Sequence, residues 1–499
     1  MTAARPPIYR SAALAVLMQW SLRLVGLLSV LILARLLTPS DFGVVGIAVA
    51  AVSLVEILGA IGLRQTLLRI QAPERTHLNT AWTIQLILFS VMAMVTVALA
   101  PLAAWFYGNS VLTAVIAALA LRFLCLGLVN IGIVDFDRNF EFGRDLRMRM
   151  SARVAAFALT LAAALTLRNY WALVVGLIGQ SAFFAVGSYL AHPYRPRFSL
   201  ARRSELLGVS AWMLLNAVAQ TAQQQIERLV LGRFATASVV GLYSVSKDLS
   251  EIFTQEIATA LNRVTFVTVA SDPEPLRSNP GRIARIIGSY AMIAAPMGLG
   301  LAVTAEGLIA LLLGAQWLSA APLLRIVAIY SAFYAVYKVI ASSLQAAGFA
   351  RRAASLSFAA ALLTAIAVAG AGWLYRDASA IATAALLMNA ATLAAGTVVI
   401  ARHADTGAFA LALNIARPFA AAGLMYLGVA LAAPVTGVAA FDLFLAIALG
   451  AVLYALFLFL VWRGTGSPKG AESQLFEIVA SGAHQLPRLL QSLKRRQHR

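Results

Sequence analysis

The chain has 499 residues, 61% of them apolar and only 12% charged, and its mean hydropathy is +0.83. A water-soluble protein of that length could not hide so much apolar surface, and the single cysteine, Cys125, excludes an internal disulfide. The formal net charge of +19 would suit a nucleic-acid binder, but its distribution along the chain argues against one.

Apolar runs of roughly 20–28 residues predict helices that cross a bilayer, the only open-ended way to satisfy backbone groups in hydrocarbon. Fourteen spans are read in chain order: 12–36, 42–63, 80–105, 110–134, 151–167, 171–191, 207–231, 238–262, 284–313, 319–346, 353–374, 378–401, 410–432 and 437–461. The first run starts near Ser11 and is too long for a cleaved signal segment, so it is expected to remain as the first span. With the N-terminus in the cytoplasm, nearly all loop Lys and Arg fall on cytoplasmic loops, and the outer loops carry only Arg168, Arg233 and Arg376. That bias fixes both termini inside and explains much of the positive charge. The outer loops are too short to hold a catalytic domain. The cytoplasmic stretch 135–150 interleaves aromatics with charge, and reads either as a surface admitting a lipid-linked substrate or as an interfacial anchor. The tail, 463–499, places Leu475, Phe476, Val479, Leu486, Leu489, Leu490 and Leu493 among basic residues, the pattern of an amphipathic segment on anionic lipid.

A short stretch recurs 198 residues on. Leu33-Ala-Arg35-Leu-Leu-Thr38-Pro-Ser40-Asp-Phe-Gly43 returns as Leu231-Gly-Arg233-Phe-Ala-Thr236-Ala-Ser238-Val-Val-Gly241, each copy in a polar turn between apolar runs. Two related halves in a membrane chain are the pattern of alternating-access carriers, with substrate between the halves. The expected fold is therefore an all-α integral membrane protein of about fourteen transmembrane helices, with two pseudo-symmetric six-helix lobes around a central cavity and two extra C-terminal helices. The expected divisions are 1–205, 206–407, 408–462 and the tail 463–499.

Charges at bilayer depth mark the site. Arg23, Glu56, Arg122, Glu227, Arg228, Lys247, Asp248, Glu251, Glu256 and Lys338 fall inside spans, where each costs about 2.5–3.5 kcal/mol if it faces lipid. Most must therefore face water or one another. Lys247, Asp248 and Glu251 share one face of the eighth span, Glu256 follows on the same span, and Gln220, Gln223, Gln224 and Glu227 line the seventh at spacings of three and four. Lys247 either neutralises Glu251 or meets substrate. Arg122 either braces its span or joins the cavity. Glu227 and Arg228 lie near the outer end of their span, where such side chains reach water. Arg23 and Lys338 have no acid four residues away on their own helix and invite an anionic ligand. The cavity cations are thus Arg23, Lys247, Lys338 and Arg122; Gln220, Gln224, Asp248, Glu251 and Glu256 are assigned to hydroxyl binding or proton coupling. No Gly-Lys-Ser/Thr loop, His-Glu-x-x-His or Gly-x-Ser-x-Gly pattern occurs, so neither a catalytic role nor a cofactor or metal is expected.

Ile32-Leu-Ala-Arg35-Leu-Leu-Thr38-Pro39-Ser40-Asp41-Phe42-Gly43, followed by Glu56-Ile-Leu-Gly-Ala-Ile-Gly62, resembles the opening of bacterial O-antigen and exopolysaccharide repeat-unit flippases of the multidrug/oligosaccharidyl-lipid/polysaccharide exporter superfamily. Arg228-Leu-Val-Leu-Gly232-Arg233 leading to Gly241-Leu-Tyr243, and Trp317 with Pro322-Leu-Leu-Arg325, are weaker matches. One departure stands out: the family pattern has an acidic residue, usually Asp, ahead of the leucine run that reaches Gly232-Arg233, where the chain reads Glu227-Arg228. The resemblance implies an inner-membrane carrier that turns an undecaprenyl-diphosphate-linked oligosaccharide toward the periplasm through a cationic cavity, working among membrane lipids and beside polysaccharide polymerase or assembly proteins. The rivals are a drug/cation antiporter of the same superfamily and a membrane glycosyltransferase or polymerase.

Overall fold

In the computed structural model the described residues are 21, 24–59, 63–70, 73–139, 141–206, 211–270, 280–404, 406–432, 439–468, 470–473 and 475. Among them every regular element is helical. The long helices are α1 (Leu24–Leu36), α2 (Pro39–Glu56), α3 (Arg75–Tyr107), α4 (Val111–Gly127), α5 (Phe142–Leu167), α6 (Trp171–Ala191), α7 (Ala211–Phe234), α8 (Ala237–Ala270), α9 (Pro280–Val303), α10 (Ala321–Ala346), α11 (Ala350–Tyr375), α12 (Ala378–His403), α13 (Ala408–Leu431) and α14 (Ala439–Gly464). Among the described residues ten helices are long and apolar enough to cross a bilayer, and an eleventh span results if Val111–Gly127 and Ile131–Arg138, bent by 65°, are counted together. The chain is a multi-pass membrane protein. The count of fourteen is not reached on length and apolarity alone. α1 is described over only its last 13 residues, and α7 and α8 carry the polar stripe that lowers their hydropathy.

The chain forms two compact units: one of residues 1–249, 312–323 and 354–385, the other of 250–311, 324–353 and 386–499. These ranges do not follow the sequence divisions at 205 and 407. α7 and the start of α8 belong with α2, for a reason visible in the repeated motif.

Thr38 caps α2, with Pro39 in its first turn. Its hydroxyl accepts from the Asp41 amide at 3.3 Å while Asp41 Oδ2 accepts from the Thr38 amide at 2.9 Å, closing a capping box. The second copy keeps half of this device, with the Val239 amide donating to Thr236 Oγ1 at 3.5 Å. The two copies then meet. A Cβ on Gly43 would strike the carbonyl oxygen of Ala237, and a Cβ on Gly241 would strike that of Pro39; each would also lie 3.0 Å from the other glycine's amide nitrogen. Pro39 and Ala237, like Gly43 and Gly241, are equivalent positions of the repeat, so the contact is reciprocal about a local two-fold. Lipid offers no hydrophobic drive for helix association, and close backbone approach at small residues supplies it.

The same unit seals the end of α1. Gln316 Nε2 donates to the Ala34 carbonyl at 2.6 Å, Trp317 Nε1 donates to the same oxygen at 2.7 Å, and the Trp317 ring meets Phe42 edge-on at 5.2 Å. The end of α4 is closed by Gln85, whose amide donates to the carbonyls of Leu126, Gly127 and Val129. Buried Asn130 accepts from Gly132 and donates to the Tyr194 carbonyl, which fixes the bend that follows.

In the second unit α9, α13 and α14 pack together. Tyr454 donates to the Met292 carbonyl at 2.8 Å, and Arg417 meets Glu472 at 3.2 Å with both side chains almost fully buried. The amphipathic tail read at 475–493 lies outside the described residues apart from Leu475.

Candidate functional site

A cavity of about 290 Å³ opens in the first unit. Its walls come from α1, α2, α5 and α6 in the first half of the chain and from α7 and α8 in the second, so both copies of the repeat contribute. Gly26, Gly46 and Gly176 keep the walls thin, while Arg153, Gln180, Arg228, Ser244 and Asp248 supply the polar lining. Arg153 presses its guanidinium against α1 at Gly26, where a Cβ would have to displace it. It has no ion-pair or hydrogen-bond partner among the described residues.

Two ion pairs couple α7 to α8. Lys247 Nζ lies 2.8 Å from Glu227 Oε2 and donates to the Gln224 carbonyl at 2.7 Å, with both charged side chains essentially inaccessible. The next residues along each helix, Arg228 and Asp248, form the second pair, and this one lines the cavity. One pair is dry and structural and the other is wet. Desolvating two charges is offset only by close contact of this kind.

A second cavity of about 320 Å³ lies beside α4, α5 and α6. Arg122, Arg149 and Arg153 line it, and it shares Arg153, Leu177 and Gln180 with the first. Arg122 pairs with Glu56 at 2.7 Å, and Arg149 with Asp145 at 2.9 Å.

The loops at the basic end of these helices are tied down. His77 meets Glu205 at 3.0 Å, and Arg202 bridges Glu205 and Glu74. The Thr76 hydroxyl and the Arg202 charge hold Glu74 below its usual value, and hydrogen bonds from Arg202 and His77 do the same for Glu205. Burial pushes the Tyr194 phenol up to about 12 while it donates to Asn79 Oδ1 at 2.6 Å.

Residues 32–322, which include the crossing and almost every residue of these cavities, match the family described as polysaccharide biosynthesis protein. The chain belongs to that family. As a polysaccharide biosynthesis protein it is similar to the lipopolysaccharide biosynthesis protein WzxC of Escherichia coli (strain K12), at 24% identity over 332 residues, 64% of this chain and 66% of that protein. It is also similar to the succinoglycan biosynthesis transport protein ExoT of Rhizobium meliloti (strain 1021), at 27% identity over 449 residues, 87% of this chain and 88% of that one. Its fold resembles that of the lipid II flippase MurJ in an inward closed conformation, with a TM-score of 0.73, 12% identity, and coverage of 90% of this chain and 98% of that one. The fold is also shared with an inward-facing multidrug resistance MATE family transporter of the MOP superfamily, at a TM-score of 0.54 and 12% identity over 79% of this chain and 99% of that one.

The structure of this polysaccharide biosynthesis protein distributes the sequence-chosen residues unevenly. Asp248 lines the first cavity and Arg122 the second. Lys247 lines neither, since it is sealed against Glu227, twenty positions away on another helix. Glu227 and Arg228, read as reaching outward to water, instead point into this interior. Gln220, Gln224 and Glu251 are half-buried on α7 and α8 and line neither cavity. Lys338 is half-buried on α10 in the second unit, beside Tyr334 and Tyr337 in sequence. Arg23 lies outside the described residues, and of Glu256 only its place on α8 is described. Arg153, Arg149 and Gln180 were missed. Counting basic residues toward the cytoplasmic loop hid Arg149 and Arg153. The available signal was spacing: Arg149, Arg153, Phe157 and Thr160 recur at four, four and three, one face of α5.

Proposed function

We propose that the chain translocates a lipid-linked oligosaccharide, carried on undecaprenyl diphosphate, from the cytoplasmic to the outer leaflet of the bacterial inner membrane, and that it is a transporter rather than an enzyme. The observation that carries the reading is the cavity walled by both repeats at bilayer depth, with the free guanidinium of Arg153 beside the Arg228–Asp248 pair. A diphosphate is the ligand such a lining favours, because guanidinium groups pair with phosphate oxygens through two charge-assisted hydrogen bonds. Gln180, Ser244 and Asp248 would meet sugar hydroxyls. Arg23 and Lys338 remain candidates for headgroup contact, and Lys247, with Gln220, Gln224, Glu251 and Glu256, sets the shape and charge of the α7–α8 pair.

In the second unit a groove of about 420 Å³ is lined by Pro296, Met297, Gly300, Met425, Ile447, Gly450 and Tyr454, with few polar atoms. The repeated halves, 1–205 and 206–407, would alternate access, with both termini in the cytoplasm as the loop charges require. The membrane potential favours outward movement of an anion by about 2.3 kcal/mol per charge per 100 mV. A polysaccharide polymerase would receive the product. A cation antiporter fits less well, because Asp248, the one carboxylate among the described lining residues of the cavity, is already engaged by Arg228.

The test is translocation of a fluorescent undecaprenyl-diphosphate oligosaccharide in proteoliposomes. Protein-dependent protection of the headgroup from an external quencher is expected, faster with the receiving side positive. Equal protection in protein-free vesicles, or cation-driven dye efflux in its place, would reject the reading.

A further inference from the structure

The three-arginine cavity of the first unit has a different character from the one it adjoins. Among the described residues its ionisable lining is Arg122, Arg149 and Arg153, with no carboxylate. The acids that neutralise two of these arginines stand behind the wall. Glu56 holds Arg122, and Asp145 accepts from Arg149 Nε through both oxygens at 2.9 Å. Arg149 is further held with its guanidinium carbon 5.2 Å from the centre of the Phe184 ring. Two cations are thus fixed in place by partners outside the cavity, a third is unpaired among the described residues, and the space between them holds roughly ten waters at about 30 Å³ each. The paired arginines still turn N–H donors toward the space, and the charge of Arg153 has no acid to offset it among the described residues, so the lining favours an anion.

Its depth narrows the choice of anion. Arg149 is seven residues from the start of α5, roughly 10 Å along the axis, and Arg122 is five residues from the end of α4. Both measure from the end of the bundle that carries the tied-down basic loops. A basic pocket between helices at headgroup depth suits a lipid-borne phosphate. Three guanidinium groups, each able to take two oxygens, suit a diphosphate better than a single phosphodiester.

We infer that this cavity is a waiting subsite for the diphosphate of a lipid carrier in the inner leaflet, distinct from the transit cavity and connected to it through Arg153 and Gln180, which line both. The inference rests on the translocation reading. A headgroup held by Arg122 and Arg149 would exchange one guanidinium at a time, keeping Arg153 as it moves between cavities, so it is never stripped of positive charge.

The test is native mass spectrometry of the full chain in phosphatidylcholine nanodiscs, titrated with undecaprenyl diphosphate. Wild type is expected to bind two equivalents. Arg149→Gln and, independently, Arg122→Gln lose the second equivalent, Arg149→Lys keeps it with weaker occupancy, and Arg153→Gln weakens both. Two variants that break different ion pairs, read against Arg149→Lys, which leaves a cation for the buried Asp145, separate loss of the subsite from loss of the fold. Cardiolipin at equal concentration is expected to leave the second equivalent in place. A single equivalent in wild type, two equivalents in both Gln variants, or displacement of the second by cardiolipin would overturn the waiting subsite while leaving translocation standing. Failure of wild type to bind any undecaprenyl diphosphate would instead overturn the translocation reading itself.

Discussion

The cavity of the first unit and the groove of the second both open between long helices, yet they are lined by opposite chemistry. The first presents Arg153, Gln180, Arg228 and Asp248; the second presents Pro296, Met297, Met425, Ile447 and Gly450, with Tyr454 spending its hydroxyl on the Met292 carbonyl. The contrast also shows how a membrane protein manages charge. The first unit keeps one ion pair dry and leaves a neighbouring pair one residue along wet, so of the two pairs only Arg228–Asp248 lines the cavity.

The comparison can be broken in several ways. The largest effect on stability is expected from Lys247→Met, which leaves Glu227 buried and unpaired at a cost of about 3–5 kcal/mol. Thermal unfolding in detergent should fall sharply, and Lys247→Met combined with Glu227→Leu should recover most of the loss. Recovery failing in the double variant would mean that the pair does more than neutralise itself. Next, Met425→Asp puts a carboxylate in the apolar groove and should cost about 2.5–3.5 kcal/mol, whereas Gln180→Glu in the cavity should leave melting nearly unchanged while slowing transport. Equal destabilisation by the two would erase the distinction between the linings.

Gly43→Val should cost about 1–3 kcal/mol or more, because the side chain drives into the Ala237 carbonyl and forces α2 from α8. Gly241→Val should do the same by symmetry. A variant of either that melts like wild type would remove the crossing from the account. The smallest effect concerns the exposed loops. Glu74 and Glu205 titrate below their ordinary value of 4.5, so the stability they add is present above that value and fades as pH falls through the lowered ones. Melting should be flat from neutral pH down to about 5 and drop slightly below 4.5, and Arg202→Ala should shrink that step.

Much of this arrangement was legible in the residues. The 198-residue repeat placed Gly43 and Gly241 at equivalent positions, and the structure has them touching. Thr38-Pro-Ser-Asp41 is a capping box because α2 begins there. The polar spacing on α7 and α8 located the charged helix pair. The pairing itself was not legible. Glu227 meets Lys247 and Arg228 meets Asp248 across a helical hairpin, where spacing along one helix carries no information about register. Arg153 escaped for a different reason. Three turns into α5 it looks like a loop charge, and only the neighbouring helices α1 and α6 reveal that it faces a cavity. The groove left no signal, since an apolar residue facing a groove and one facing lipid read alike.

The measurement that bears most directly on the account is the rate of undecaprenyl-diphosphate oligosaccharide translocation in proteoliposomes by wild type, Arg153→Ala and Arg153→Lys at matched reconstitution. Alanine should abolish translocation and lysine should restore a fraction of it, because the cavity needs a cation at that place. Translocation by the alanine variant at the wild-type rate would show that the headgroup does not travel through the cavity described here.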